Sequence, residues 1–208
     1  KANAKESLYI VSNFANDFFQ KQLEEKEGKI IGLSYFKKRG ITDEMIQKFQ
    51  LGYNPEKGGS FTKSAMDAGH NKEFLKNSGL SIFKEKKGFD RFRGRVIFPI
   101  HSLSGRVLGF GGRALKKGGK IAKYINSPEN EIYHKSKVLY GIYFAKSDII
   151  KEDNCYLVEG YTDVISMHQS GIKNVVASSG TALSLDQIKL ISRYTKKITI
   201  LFDGDAAG

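Results

Sequence analysis

The chain has 208 residues, 34 Lys and Arg against 22 Asp and Glu, a net charge of +12, and 40% hydrophobic and 12% aromatic residues. This excludes a disordered chain, which lacks apolar residues for a core, and a disulfide-stapled secreted domain, because one cysteine cannot pair within the chain. No apolar run approaches the roughly 20 residues of a membrane helix and no leader pattern opens the chain, so a cytoplasmic protein is expected.

Leu8, Val11, Ala15, Phe18 and Phe19, with Phe14 and Leu23, recur at helical spacing and predict an amphipathic helix over 4–27 that Gly28 ends. A short helix over 33–39 closes at Gly40, and Thr42 caps a helix over 43–49 with Asp43 and Glu44 in its first turn. Helical patterns over 61–68 and 72–77 follow, set apart by Gly58-Gly59 and Gly79. From Lys84 the texture turns β-rich, and 95–100 and 106–110 read as a hairpin through His101–Gly105. Gly109, Gly111 and Gly112 make a poor dinucleotide fingerprint, since no helix pattern opens behind them. Such glycines let a strand bend or a ligand approach the backbone.

A strand over 124–127 and a helix over 140–150 come next. From Asn154, strands over 155–158, 175–177 and 198–202 alternate with helices over 163–170 and 185–194, the latter opened by a Ser184/Gln187 capping box. Such alternation predicts parallel strands joined by right-handed crossovers. The fold class is therefore α/β: a mixed α+β subdomain over 1–152, then a Rossmann-like parallel sheet over 153–208. Lys1 at the start, and a stop at Gly208 where a helix is expected, read as the ends of a piece of a longer protein. Cys155, inside an apolar strand, is expected to be an inert core thiol, and the four scattered histidines have no zinc-ligand spacing.

The charge is concentrated. The 40 residues from Lys84 to Lys123 hold twelve Lys and Arg against Glu85 and Asp90, a net +10 of the chain's +12. Clustering of this kind points to a polyanion such as nucleic acid. Opposite in sign are two acidic motifs, Glu159-Gly160-Tyr161-Thr162-Asp163 after one apolar strand and Asp203-Gly204-Asp205 after another. Ligands of open α/β sheets bind at that strand edge, and carboxylates gathered there call for a hard divalent cation. An Asp-x-Asp also opens the haloacid-dehalogenase-like phosphatases, but there it comes first in the fold and here it comes last.

Glu159–Asp163, Ala177-Ser178-Ser179-Gly180-Thr181-Ala182-Leu183 and Asp203-Gly204-Asp205-Ala206-Ala207-Gly208 together resemble the start of a Toprim domain. Upstream, Arg91–Ile100, Gly105–Arg113, Lys123-Tyr124-Ile125-Asn126-Ser127-Pro128-Glu129, Tyr133-His134-Lys135 and Leu139-Tyr140-Gly141 resemble, in order, the motifs of bacterial DNA primases of the DnaG type. The likeness runs from about Leu33 to Gly208. Topoisomerase, nuclease and recombination-mediator Toprim proteins do not account for the glycine-arginine and Lys-Tyr-x-Asn-Ser-Pro motifs.

The resemblance implies synthesis of short RNA primers on single-stranded DNA by metal-assisted nucleotidyl transfer from ribonucleoside triphosphates. It places Mg²⁺ or Mn²⁺ on Glu159, Asp203 and Asp205, with Glu159 as ligand or general base and Asp163 further out. It assigns Arg113, Lys123, Tyr124, Asn126 and Lys135 to nucleotide and template. Arg39, Arg91, Arg93 and Arg95 extend a DNA track, while Phe92 is assigned to the core. A zinc-binding domain and a C-terminal domain that meets the replicative helicase belong to the family but not to this sequence.

Overall fold

The computed structural model describes residues 2–85, 87–116, 121–180 and 182–204. Helix α1 (Ala2–Glu24) follows its apolar stripe: Leu8, Val11, Ala15, Phe19 and Leu23 are all buried. The helix does not reach Gly28. The backbone turns extended at Glu25 (ψ 164°), then re-enters helix as α2 (Lys26–Gly28), a π-helical turn (Lys29–Leu33) and α3 (Ser34–Lys38). Gly28 itself is helical, and a Cβ there would overlap the Gln22 carbonyl, so the glycine serves close approach to α1 and not termination. Gly40, by contrast, does close α3, with φ of +73°. Thr42 caps α4 (Asp43–Lys48) by accepting the Met45 N–H at 3.3 Å.

The next elements are β1 (Gly52–Asn54), α5 (Ser60–Asp67), α6 (Lys72–Asn77) and an antiparallel ribbon of β2 (Ser81–Lys84) and β3 (Lys87–Asp90). The sequence reading contains neither β1 nor this ribbon, because three or four residues are too few for an alternation to register. β4 (Arg95–His101), β5 (Val107–Ala114) and β6 (Tyr124–Asn126) join β1 in a sheet of order β1-β4-β5-β6. Val11, Ala15 and Phe19 of α1 meet Phe61, Ala65, Leu75, Leu80, Phe92, Ile97, Val107 and Phe110 in one core. Phe19 and Phe110 pack edge to face at 5.3 Å. Phe92 is 1% exposed, the core position expected of it. Gly109 and Gly112 are packing glycines: a Cβ would press on Ser127 and Tyr133 at the first and on Phe92 at the second.

This first compact unit comprises Lys1–Ile100 and Arg106–Tyr133; the second comprises His101–Gly105 and His134–Gly208. In the second, α7 (Ile142–Glu152), β7 (Cys155–Val158), α8 (Tyr161–Gln169), β8 (Val175–Ala177), α9 (Leu185–Ile191) and β9 (Ile198–Ile200) follow one another. The three strands are parallel, in order β8-β7-β9, as the alternation predicts. Ile142, Ala145 and Ile149 of α7 share a core with Cys155, Leu157, Val176, Leu190 and Ile191. The Ser184 capping box forms: Gln187 N–H donates to Ser184 Oγ and Ser184 N–H donates to Gln187 Oε1, each at 3.0 Å. Cys155 is buried, and burial pushes its thiol up to about 12, so it is an inert thiol as expected. Among the described residues, no helix is long and apolar enough to cross a membrane.

Candidate functional site

The acidic edge belongs to the second unit. β7 and β9 pair in register Cys155↔Ile198, Tyr156↔Thr199 and Leu157↔Ile200, so both leave the sheet at the same end. The pairing continues one step, with Leu201 N–H donating to the Leu157 carbonyl at 2.9 Å. Glu159 is the first residue past β7, and its Oε1 accepts the Asp203 N–H at 2.8 Å. Asp203 is solvent-exposed and Glu159 partly so. Two carboxylates from neighbouring parallel strands thus stand at one edge, with Glu159 steadied by a backbone amide. Hard oxygen donors in this number suit Mg²⁺ or Mn²⁺, which keep water and substrate phosphates as further ligands. Asp205 lies outside the described residues, and among those described no three His, Cys, Asp or Glu gather as a metal-holding group. Asp163 Oδ2 accepts the Gly160 N–H at 3.0 Å, so this carboxylate caps α8. The neighbouring loop after β8 runs through left-handed backbone at Ser179 and Gly180.

The basic residues gather in the first unit around an aromatic ring that sequence reasoning did not single out. Arg113 and Tyr124 are directly opposed on β5 and β6, and Asn126, two residues on, faces the same way as Tyr124. The guanidinium of Arg113 lies over the Tyr35 ring at 4.7 Å and near the Tyr124 ring at 6.0 Å. Arg39 approaches Tyr35 at 5.4 Å, and Lys123 approaches Tyr124 at 5.9 Å. Arg113 Nε is buried with no hydrogen-bond partner among the described residues. Burial, then the neighbouring Tyr124, pushes the Tyr35 hydroxyl up to about 12, which keeps the ring neutral. The signal that could have found Tyr35 is its spacing: Tyr35 and Arg39 are four apart on one helix face.

Of the four arginines assigned to the DNA track, the three clustered between 91 and 95 separate. Arg93 is exposed beside Gly58, and no hydrogen bond or ion pair engages it among the described residues. Arg91 donates through Nε and Nη2 to the Asn126 carbonyl at 3.3 and 3.2 Å. Arg95 is 6% exposed and donates to the carbonyls of Gly112 (3.2 Å), Lys123 (3.3 Å) and Ala122 (3.0 Å). Burial, then Arg91 nearby, pulls its guanidinium below the usual arginine range. Arg95 is thus an internal brace holding β5 and the approach to β6, where an exposed contact residue was expected. Lys135 sits in the second unit, in the short turn Lys135–Lys137, where its carbonyl accepts from Gln187 Nε2 at 3.1 Å.

Residues 18–146 match the family described as DNA primase catalytic core, N-terminal domain, and residues 153–208 match the Toprim domain. The chain is 41% identical over 202 residues to the DNA primase of Legionella pneumophila, covering 97% of this chain and 34% of that one. It is 38% identical over 205 residues to the DNA primase of Escherichia coli K12, covering 98% and 35%. It thus spans about a third of the length of these relatives. The RNA polymerase domain of the Mycobacterium tuberculosis primase DnaG superposes with a TM-score of 0.90 at 35% identity, over 96% of this chain and 67% of that one. A DnaG primase catalytic domain bound to single-stranded DNA gives 0.88 at 37% identity, over 100% and 64%. The ordered motifs, the β8-β7-β9 parallel sheet and these likenesses agree: the chain belongs to the bacterial DnaG-type DNA primase family, with the catalytic core's N-terminal domain followed by a Toprim domain.

Proposed function

We propose that the protein builds short RNA primers on single-stranded DNA. Residues 1–152 handle template and nucleotide, and 153–208 carry the start of the chemical centre. A bound Mg²⁺ or Mn²⁺ would be held by Glu159 and Asp203 with Asp205, and would neutralise charge on the triphosphate. In the reaction, the primer 3′-hydroxyl oxygen bonds to the α-phosphorus of the incoming nucleotide and the bond to pyrophosphate breaks. Glu159, at the strand edge, is placed either to take the hydroxyl proton or to serve as ligand. Arg113, whose guanidinium presents a planar fork of donors, suits a phosphate that offers two acceptors. Tyr124 and Tyr35 offer ring faces beside cations, the composition that holds single-stranded bases. Lys123 and Asn126 belong to this set as nucleotide contacts, Lys135 of the second unit is a further nucleotide contact, and Arg39 and Arg93 are template contacts. Arg91 and Arg95 support it by fixing the backbone of 122–126. The replicative helicase would be a partner of the full-length protein.

The parallel pairing that brings the Glu159 carboxylate to the Asp203 amide at 2.8 Å carries the chemical half of this reading. Glu159→Gln in the full-length protein tests it. Primer synthesis should slow by about 10²–10⁴-fold, the usual cost of losing a general base. Fluorescence anisotropy with single-stranded DNA should be unchanged. A Glu159→Gln protein that primes at the wild-type rate would overturn the assignment.

A further inference from the structure

The β2–β3 ribbon has a solvent face with no role in the site described above. Its register pairs Ser81 with Asp90, Ile82 with Phe89, Phe83 with Gly88 and Lys84 with Lys87. Side chains alternate across a strand, so Ile82, Lys84, Lys87 and Phe89 share one face. That face is the outer one: Ile82 is 42% and Phe89 40% exposed, while Ser81 and Asp90 on the other face are buried. Asp90 anchors the ribbon from within, accepting the N–H groups of Phe61 and Thr62 at 3.0 and 2.8 Å.

Two features of this face need an explanation. Lys84 and Lys87 are directly opposed like charges, an arrangement that destabilises a ribbon, and no carboxylate pairs with either among the described residues. Beside them, an aromatic ring and an isoleucine stay in water. An anion between the lysines, with a flat apolar group on Phe89, resolves both at once. A nucleotide of single-stranded DNA is such a ligand, with its phosphate on the lysines and its base on the ring. The ribbon also lies near the basic track: a Cβ added at Gly58 would come within 3.5 Å of Arg93, and one at the adjoining Gly59 within 3.2 Å of the Gly88 carbonyl.

We infer that the outer face of the β2–β3 ribbon is an additional contact for single-stranded DNA, holding template beyond Arg93. This rests on the primase reading for its choice of nucleic acid. The test uses the full-length protein, fluorescein-labelled oligo-dT and anisotropy across a salt series, with Lys84→Ala/Lys87→Ala, Phe89→Leu and Arg113→Ala compared. Each phosphate neutralised on a single strand adds about −0.7 to the log–log salt slope, so the double-lysine variant should flatten it by about 1.4. Phe89→Leu keeps the apolar surface but loses the ring, and should weaken binding about fivefold. Oligo-dT carrying 4-thiothymidine should crosslink to the peptide containing Phe89. An unchanged slope and no crosslink on the ribbon, with Arg113→Ala still weakening binding, would overturn the ribbon contact and leave the primase reading standing. Single-stranded binding indifferent to all three variants would defeat both. Weakened duplex binding with intact single-strand binding would also overturn the inference.

Discussion

Tyr35 has two guanidinium groups near one ring, Arg113 at 4.7 Å and Arg39 at 5.4 Å. Each such contact contributes about 0.5–2 kcal/mol, more as water is excluded. The ring therefore organises both cations within the folded chain. Tyr35→Ala should weaken single-stranded DNA binding several-fold, and Tyr35→Phe should restore it, as measured by anisotropy. A second residue, His101, answers to pH. It is buried against Tyr143 (6.1 Å) and Phe144 (5.3 Å), and burial pulls it down to about 4. The unfolded chain binds that proton near pH 6.5, so stability is full above this value and falls as pH drops toward 4. The loss is on the order of 3 kcal/mol at most. Urea midpoints at pH 7 and pH 4.5 should differ less in His101→Phe than in the parent.

Strand β6 has only three residues and an edge position, and it carries Tyr124 and Asn126. Backbone pairing with β5 alone is a weak tether for so short a strand. Arg95 and Arg91 supplement it from the inside by donating to the carbonyls of Ala122, Lys123 and Asn126. Arg95→Met would remove the side-chain donor from the buried Gly112 carbonyl and from the part-buried carbonyls of Ala122 and Lys123, at about 1–3 kcal/mol. The expected outcome is a lower melting temperature and faster amide hydrogen exchange over 121–127, with α1 unaffected. Nucleotide affinity should fall with it, although Arg95 itself is too buried to contact a nucleotide. The brace explains why an arginine opens a strand whose residues are all buried.

Across the molecule, the +10 stretch is not a +10 surface. Arg95 is internal and Arg91 is bound to a carbonyl. Arg106 pairs with Glu6 at 2.6 Å and stacks on Tyr9, and Lys116 pairs with Glu56 at 3.0 Å. Arg93, Arg113, Lys123, Lys84 and Lys87 remain among the described residues for an outside anion. The salt dependence of DNA binding should follow this division. Arg93→Ala/Arg113→Ala should flatten the log–log slope by about 1.4, whereas Arg106→Ala/Lys116→Ala should leave it in place. Titration of the two double variants across salt by anisotropy separates the two pairs.

By itself the sequence determined what local chemistry controls. The α1 stripe, the Thr42 and Ser184 caps, the Gly40 terminus, and the β7, β8 and β9 strands all follow from periodicity or from a side chain reaching its own backbone. So does the joint presence of Glu159 and Asp203 at one edge, because parallel alternation sends each strand out on the same side. Tertiary structure decided the rest. Gly28 reads locally as a stop, and only the packing of α2 on Gln22 makes it a contact glycine. Arg91, Arg93 and Arg95 look equivalent as a run, yet strand alternation, turn geometry and the carbonyls of β5 and β6 send one outward and two inward. Tyr35 meets Arg113 across 78 residues of chain, a contact set by how the helices pack on the sheet and absent from any local pattern. Charge is a property of composition, but which charges reach water depends on non-local neighbours, and those exist only in the folded chain.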